Sequence, residues 1–364
     1  MNNTIRTQGL SPQRVLFQKP QVNLARSTSS RMWMVSGCAG LAILQSSMTD
    51  SFASLFIALS AVTGAFLSEI LIDDISLRRF IRNGGNPHTG LSGMYWDGSG
   101  VVSALVLTLL LPNQIHPLFA FMGAMFAMVV VKHSFGGLGC NWVNPALGAW
   151  LFIRFGWPGA FADALKDSSF TIPAVGLAQA FLDPNGAPLV IQDTFWTPLL
   201  NKTIFSLTSS KLPEGYIDFL VFSGPGIIAD RGLLAFLFGT IIITAGQVGR
   251  SWIPLCYLGV YCFLIRLFGG GDMLFGLFTG GTLVAAFILA ADPSTGPKSR
   301  VGVLITVVLG ALLSFIFRYR GFESYGAFFA VVLLNALVPF FRYVEIRFLY
   351  TGISGGTGGV HVKG

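Results

Sequence analysis

Ten apolar stretches follow one another along this chain, and basic residues collect in the short segments between them. The stretches run over Met32 to Ser46, Phe52 to Ile72, Gly100 to Leu111, Pro117 to Val131, Pro145 to Phe155, Gly232 to Ala245, Ile253 to Phe268, Met273 to Ala291, Val301 to Phe317 and Tyr325 to Phe341. A simple membrane-spanning helix needs about 20 apolar residues. The third, fifth and sixth stretches are shorter and are entered through glycine, proline or asparagine. The pattern predicts an all-α integral membrane protein in which short, broken helices line an internal site. Of 364 residues 53% are apolar and only 11% charged, against roughly a quarter charged in a soluble domain. The net charge of +7 comes from the lead-in and the inter-helix segments, which is how membrane topology is written; it argues for a lipid membrane as partner and against nucleic acid.

Charge bias in short loops sets the orientation. With the N-terminus inside, the cytoplasmic segments contain Arg78, Arg79 and Arg82, then Lys132, Arg250, Lys298 and Arg300, and finally Arg342, Arg347 and Lys363. The long segment Gly156 to Asp230 then lies outside, and it is acidic until its end. Arg318 and Arg320 fall on the outer side as exceptions. The expected organisation is a cytoplasmic lead-in at residues 1–30, a five-helix half at 31–155, the external loop at 156–230, a second five-helix half at 231–347 and a flexible glycine-rich tail at 348–364. Both termini are expected in the cytoplasm.

An internal repeat favours five plus five. Asp97 to Leu111 aligns with Thr279 to Pro293 at an offset of 182 residues, and Gly98/Gly280, Val102/Val284, Ala104/Ala286 and Leu107/Leu289 coincide. Two five-helix halves necessarily have opposite orientation, and inverted repeats place a site between them near the midplane.

The most distinctive run is His133 to Leu147, H-S-F-G-G-L-G-C-N-W-V-N-P-A-L. Gly136, Gly137 and Gly139 permit close backbone approach, and Asn141 and Asn144 present amides just before Pro145 opens a helix. Such a loop can hold a polar ring or an anion; it equally suits a turn with a helix cap. Glu69 and Asp292 are ionisable groups inside or at the end of apolar runs, hence candidates for an ion pathway. Arg154 and Arg266 lie near helix ends, where long cationic side chains snorkel. The four histidines show no metal-ligand spacing, and the four cysteines form no C-x-x-C pair, so no metal site or disulfide framework is expected.

The G-G-L-G-x-N-x-x-N-P-A-L run, the Asp97-Gly98-Ser99 opening of a short apolar helix and the T-G-G-T…A-D-P segment at Thr279 to Pro293 occur together in this order. In combination they resemble the family that includes the D-type membrane subunit of the Rnf electron-transport complex and the B-type membrane subunit of the sodium-translocating NADH:quinone reductase. The resemblance runs from about Arg31 to Arg347. It implies about ten transmembrane helices in two inverted halves, similar to urea transporters, in a bacterial cytoplasmic (inner) membrane. It also implies one-electron transfer through an FMN esterified by its phosphate to a threonine of the external loop.

The best match to that family's threonine pattern is Asp193-Thr194-Phe195-Trp196-Thr197-Pro198-Leu199, with Thr197 as acceptor. Trp196 stands where the family has a small alanine, and Phe195 where it has a small or polar residue. The resemblance further implies a noncovalent riboflavin, for which Asn141, Asn144 and the glycine loop are candidate ligands, and cation-handling carboxylates near Glu69 and Asp292. As partners it implies the other subunits of an Rnf-type complex, including a second FMN-bearing subunit, and a flavin transferase for maturation. The leading expectation is thus a redox subunit coupling electron flow to Na⁺ or H⁺ transport. The competing one is a flavin-free relative serving as transporter or membrane scaffold.

Overall fold

The computed structural model describes residues 27–49, 52–82, 98–136, 141–166, 196–203, 226–246, 248–268, 273–319 and 325–351. Most of the lead-in, Asp97, Gly137, Gly139, Cys140, Asp193, Thr194, Phe195, Arg320 and the tail after Thr351 lie outside the described residues. Each of the ten apolar stretches carries a helix. In chain order the helices are α1 (Thr28–Thr49), α2 (Ala53–Arg82), α3 (Ser99–Leu110), α4 (Pro117–Phe126), α5 (Pro145–Gly156), α6 (Pro158–Lys166) and α7 (Trp196–Thr203). They continue as α8 (Ile228–Arg231), α9 (Leu233–Ala245), α10 (Trp252–Phe268), α11 (Met273–Phe278), α12 (Thr282–Val284), α13 (Arg300–Tyr319) and α14 (Gly326–Thr351). Two helices run on as π segments, α4 into Ala127–His133 and α12 into Ala285–Leu289.

Among the described residues, three stretches are long and apolar enough to cross a membrane, Ala53–Ile72, Arg300–Tyr319 and Gly326–Glu345. Ser99–Leu110, Pro117–His133, Leu233–Ala245 and Trp252–Phe268 are shorter apolar helices, and the eighth stretch, a single run in sequence, is broken at Thr279 to Gly281 between α11 and α12. The reason is local. Gly280 and Gly281 adopt φ of 67° and 66°, a left-handed conformation that costs a residue with a Cβ roughly 1–2 kcal/mol. Gly98, which precedes α3, has φ of 76°. The aligned pair Gly98/Gly280 therefore marks the same backbone event in both halves of the sequence.

Helix starts follow the sequence cues. Pro117 and Pro145 occupy first turns, where a missing N–H costs nothing, and His116 and Asn144 accept the N–H of Leu118 and Ala146. The start of α9 is capped from a distance, by Gln45 Oε1 of α1 accepting the Ala235 N–H at 2.6 Å.

A single buried cluster joins the two ends of the chain, with Cys38, Ala42, Leu107 and Trp150 packed alongside Phe236, Val284 and Phe328. The Trp150 ring meets Phe328 and Phe329 edge-on at 5.2 and 5.1 Å, pairs worth about 0.5–1.5 kcal/mol each beyond their burial. A second cluster gathers around Tyr257, Tyr261, Val307 and Phe315. The outward faces carry Phe56, Leu71, Phe238, Leu255, Phe263 and Val301, all exposed. In water such contiguous apolar surface is a liability; facing lipid it is the solvated state.

Candidate functional site

Between the start of α3, the end of α4, the approach to α5 and the segment after the second π segment lies a cavity of about 530 Å³, within the range of small-molecule sites. Ser99, Ser103, Lys132, Asn141 and Asn144 line it from one half of the sequence, and Phe287, Asp292 and Ser294 from the other. Arg31, Arg250 and Lys298 complete its basic rim. Residues that the charge count assigns to one side of the membrane thus converge on one space.

Asn144 does more than cap. While its Oδ1 accepts the Ala146 N–H, its Nδ2 donates to Asp292 Oδ2 at 2.9 Å. The other Asp292 oxygen accepts from the backbone N–H and hydroxyl of Ser294 at 2.9 and 2.7 Å. Both sequence candidates are therefore in one hydrogen-bonded unit. Asn141 is buried and its Oδ1 has no hydrogen-bond partner among the described residues, an arrangement that calls for an occupant.

Glu69 lies beside the cavity rather than on its wall. Its carboxylate accepts from Lys132 Nζ at 2.8 Å, and the same ammonium donates to Ser99 Oγ at 2.6 Å. Sequence places Lys132 in a cytoplasmic loop. It is instead buried, because α4 continues as a π segment through His133 and carries the ammonium back onto α2 and α3.

Arg318, which the charge count leaves on the outer side as an exception, does not lie in a loop. It is buried within α13, so its charge never enters a loop count. Its guanidinium donates to the carbonyls of Gly276 and Thr279, both at 2.7 Å, and to the Thr279 hydroxyl. Across the break, buried Asp230 accepts the N–H groups of Gly280 and Gly281 at 3.0 and 3.1 Å. A cation thus sits on the carbonyl end of α11 and an anion on the amide end of α12, as the dipoles of both demand. In sequence Asp230 reads only as the end of the external loop; the aligned glycines are the one signal pointing to this cluster. Arg154 lies over the Phe161 ring at 5.2 Å.

Of the remaining candidates, Gly136 is described, with φ of 106°. Thr197 is the second residue of α7.

Helices broken inside an apolar bundle, with a partly polar cavity lined from both halves of the sequence, define a polytopic helical membrane protein. The sequence profile of the NQR2, RnfD, RnfE family matches residues 15–350. The chain belongs to that family. It is 25% identical over 332 residues to the D-type subunit of the proton-translocating ferredoxin:NAD(+) oxidoreductase complex of Clostridium ljungdahlii, covering 89% of this chain and 92% of the relative. It is 30% identical over 266 residues to the D-type subunit of the ion-translocating oxidoreductase complex of Alcanivorax borkumensis, covering 68% and 73%. To the D-type subunit of the Na(+)-translocating ferredoxin:NAD(+) oxidoreductase complex of Acetobacterium woodii it is 29% identical over 246 residues, covering 67% and 70%.

Proposed function

We propose that this chain is the corresponding membrane subunit of an Rnf-type ion-translocating oxidoreductase, carrying electrons through bound flavin and coupling their passage to Na⁺ or H⁺ movement. The observation that carries the reading is the cavity in which Asn144 and Asp292 are joined and the Asn141 amide oxygen has no hydrogen-bond partner among the described residues. An unpaired buried acceptor suits a ring N–H, and the volume suits a tricyclic ring system. A flavin bound there would supply one-electron chemistry, while the protein supplies position and burial. Asn141 and Asn144 would orient the ring, Lys132 would set the charge beside it, and the packed apolar segments of α3 and α12 would exclude water.

The same reading places a second flavin, FMN, on Thr197 through a phosphoester made by a flavin transferase, and makes the neighbouring subunits the electron donor and acceptor. It takes the fold as ten spans in two inverted halves, with both termini in the cytoplasm of a bacterial cell and the external loop outside the inner membrane. Glu69 and Asp292 serve the ion route. The alternative, a flavin-free transporter or scaffold subunit, is favoured by one observation, the bulky Trp196 immediately before Thr197. The test is the intact mass of the chain purified from a host with a flavin transferase. The FMN adduct is expected in wild type and lost in Thr197→Val, with membrane insertion unchanged; an unmodified wild-type mass rejects the covalent flavin.

A further inference from the structure

The Glu69, Ser99 and Lys132 cluster is more than a fold contact. We infer that Glu69 and Ser99 form a site for an alkali cation whose resident occupant in this structure is the Lys132 ammonium, so that an ion enters when Lys132 turns into the cavity. This rests on the reading of the chain as an ion-coupled subunit.

The ligand set is the first ground. A carboxylate and a hydroxyl at 2.8 and 2.6 Å from one nitrogen are hard oxygen donors of the kind a small hard cation takes. The carboxylate lies against the first turn of α3, where a Cβ at Gly100 would meet Glu69 Oε2 at 2.7 Å. The second ground is geometric. Lys132 and Ser99 both line the cavity, whereas the Lys132 side chain is only 6% exposed and that of Glu69 19%. The ammonium thus stands between the carboxylate and the open space. Third, Lys132 belongs to a π segment, a loosened helical turn found often at functional sites.

Charge supplies the other half of the exchange. Asp292 lines the same cavity and makes no ion pair among the described residues. Of the other cationic groups on the wall, Lys298 Nζ donates to the Pro293 carbonyl at 2.9 Å and Arg250 lies 3.5 Å from the Lys298 carbonyl. Asp292 is the acidic residue lining the cavity among the described residues, and in the exchange it receives the displaced ammonium. A buried cation leaves its counter-ion only when another charge replaces it, because an unpaired buried carboxylate costs several kcal/mol. The exchange is one ion for one ammonium, with no net change at Glu69.

The experiment uses the assembled complex in inverted membrane vesicles, with choline replacing Na⁺. Half-saturating Na⁺ for electron-transfer-driven uptake should fall about tenfold in Lys132→Gln, where the competitor is gone. It should rise at least tenfold in Glu69→Gln, and the double variant should behave as Glu69→Gln. A measurement on wild type guards against a misfolded variant: reductive methylation of Lys132, read by peptide mass, should increase severalfold when Na⁺ replaces choline. Unchanged half-saturation in Lys132→Gln, methylation indifferent to Na⁺, or a wild-type complex indifferent to Na⁺ overturns the inference. If Glu69→Gln also leaves ion dependence intact, the assignment of Glu69 to the ion route falls with it. If Glu69→Gln alters ion dependence while the lysine measurements do not move, that assignment stands and only the exchange is rejected.

Discussion

The amide of Asn144 and the carboxylate of Asp292 meet at 2.9 Å across 148 residues of sequence, and through them the turn that opens α5 is tied to the segment that follows the second π segment. One residue thus performs two tasks, and they separate by substitution.

Asn144→Asp keeps an acceptor for the Ala146 N–H but sets a second carboxylate against Asp292. Asn144→Ala loses the cap, worth about 1 kcal/mol, and leaves Asp292 Oδ2 unsatisfied at a further cost of about 1–3 kcal/mol. Both should unfold at lower temperature than wild type when the detergent-purified complex is heated. Asn144→Asp matching wild type would show that the cross-chain bond contributes nothing.

Asp292→Asn retains size and removes the charge, at the cost of one acceptor, since both carboxylate oxygens accept hydrogen bonds here. Ion-coupled turnover should drop most at low ion concentration and recover in part as the ion is raised, because the loss is in binding. Identical ion dependence in wild type and variant would leave Asp292 as a structural residue. The same change at Asp193 should alter flavin loading and leave ion dependence alone.

Arg318→Met takes the side-chain donor from the Gly276 and Thr279 carbonyls and should cost about 1–3 kcal/mol for each buried acceptor left unsatisfied. Pairing it with Asp230→Leu removes both charges, so the double variant should lose less stability than the two single losses together. Strict additivity in thermal unfolding would mean the two ends of the break are held independently. Arg318→Lys should fail to rescue, since one ammonium lacks the planar fork that meets Gly276 and Thr279 together.

Gly281→Ala should lower accumulation in the membrane, because it combines the cost of positive φ, about 1–2 kcal/mol, with a Cβ driven into the Phe328 ring. Gly159→Ala is the control: it is helical, with open space around it, and helix propensity favours alanine by about 1 kcal/mol. Quantitative blotting of membranes checks both, and equal levels would contradict the account of the break.

Single cysteines at Ser29 and Asp183 should react with an impermeant thiol reagent from opposite sides of the membrane. Labelling of Asp183→Cys only after the inner face is exposed would reverse the assigned orientation.

Helices, their proline and asparagine starts and the glycines at α3 and α12 are legible in the sequence because each is a local event, fixed by a few neighbouring residues. The glycine alignment even singles out two positions of positive φ. The partners of isolated charges are not legible in this way. Lys132 follows an apolar run and reads as a loop cation, while its carboxylate stands 63 residues earlier. Arg318 reads as an outer-side exception and Asp230 as the end of the external loop until packing brings them to opposite sides of one gap. Asn144 and Asp292 each stand out, but nothing local says that they touch. Asp193 and Thr194 lie outside the described residues, so the flavin motif rests on its pattern.

The stapled break between α11 and α12 has an electrical consequence. With its dipole ends neutralised by buried groups, that end of the bundle needs no water, whereas the opposite end holds the polar cavity. Between them α3 runs from Ser99 at the cavity to Leu110, 12 residues, or about 18 Å of helix. With the cavity open to water on one side, a transmembrane voltage would fall mainly over that apolar layer. A charge reaching Asp292 from that side would have crossed little of the field, and most of the roughly 2.3 kcal/mol per 100 mV would be met alongside α3.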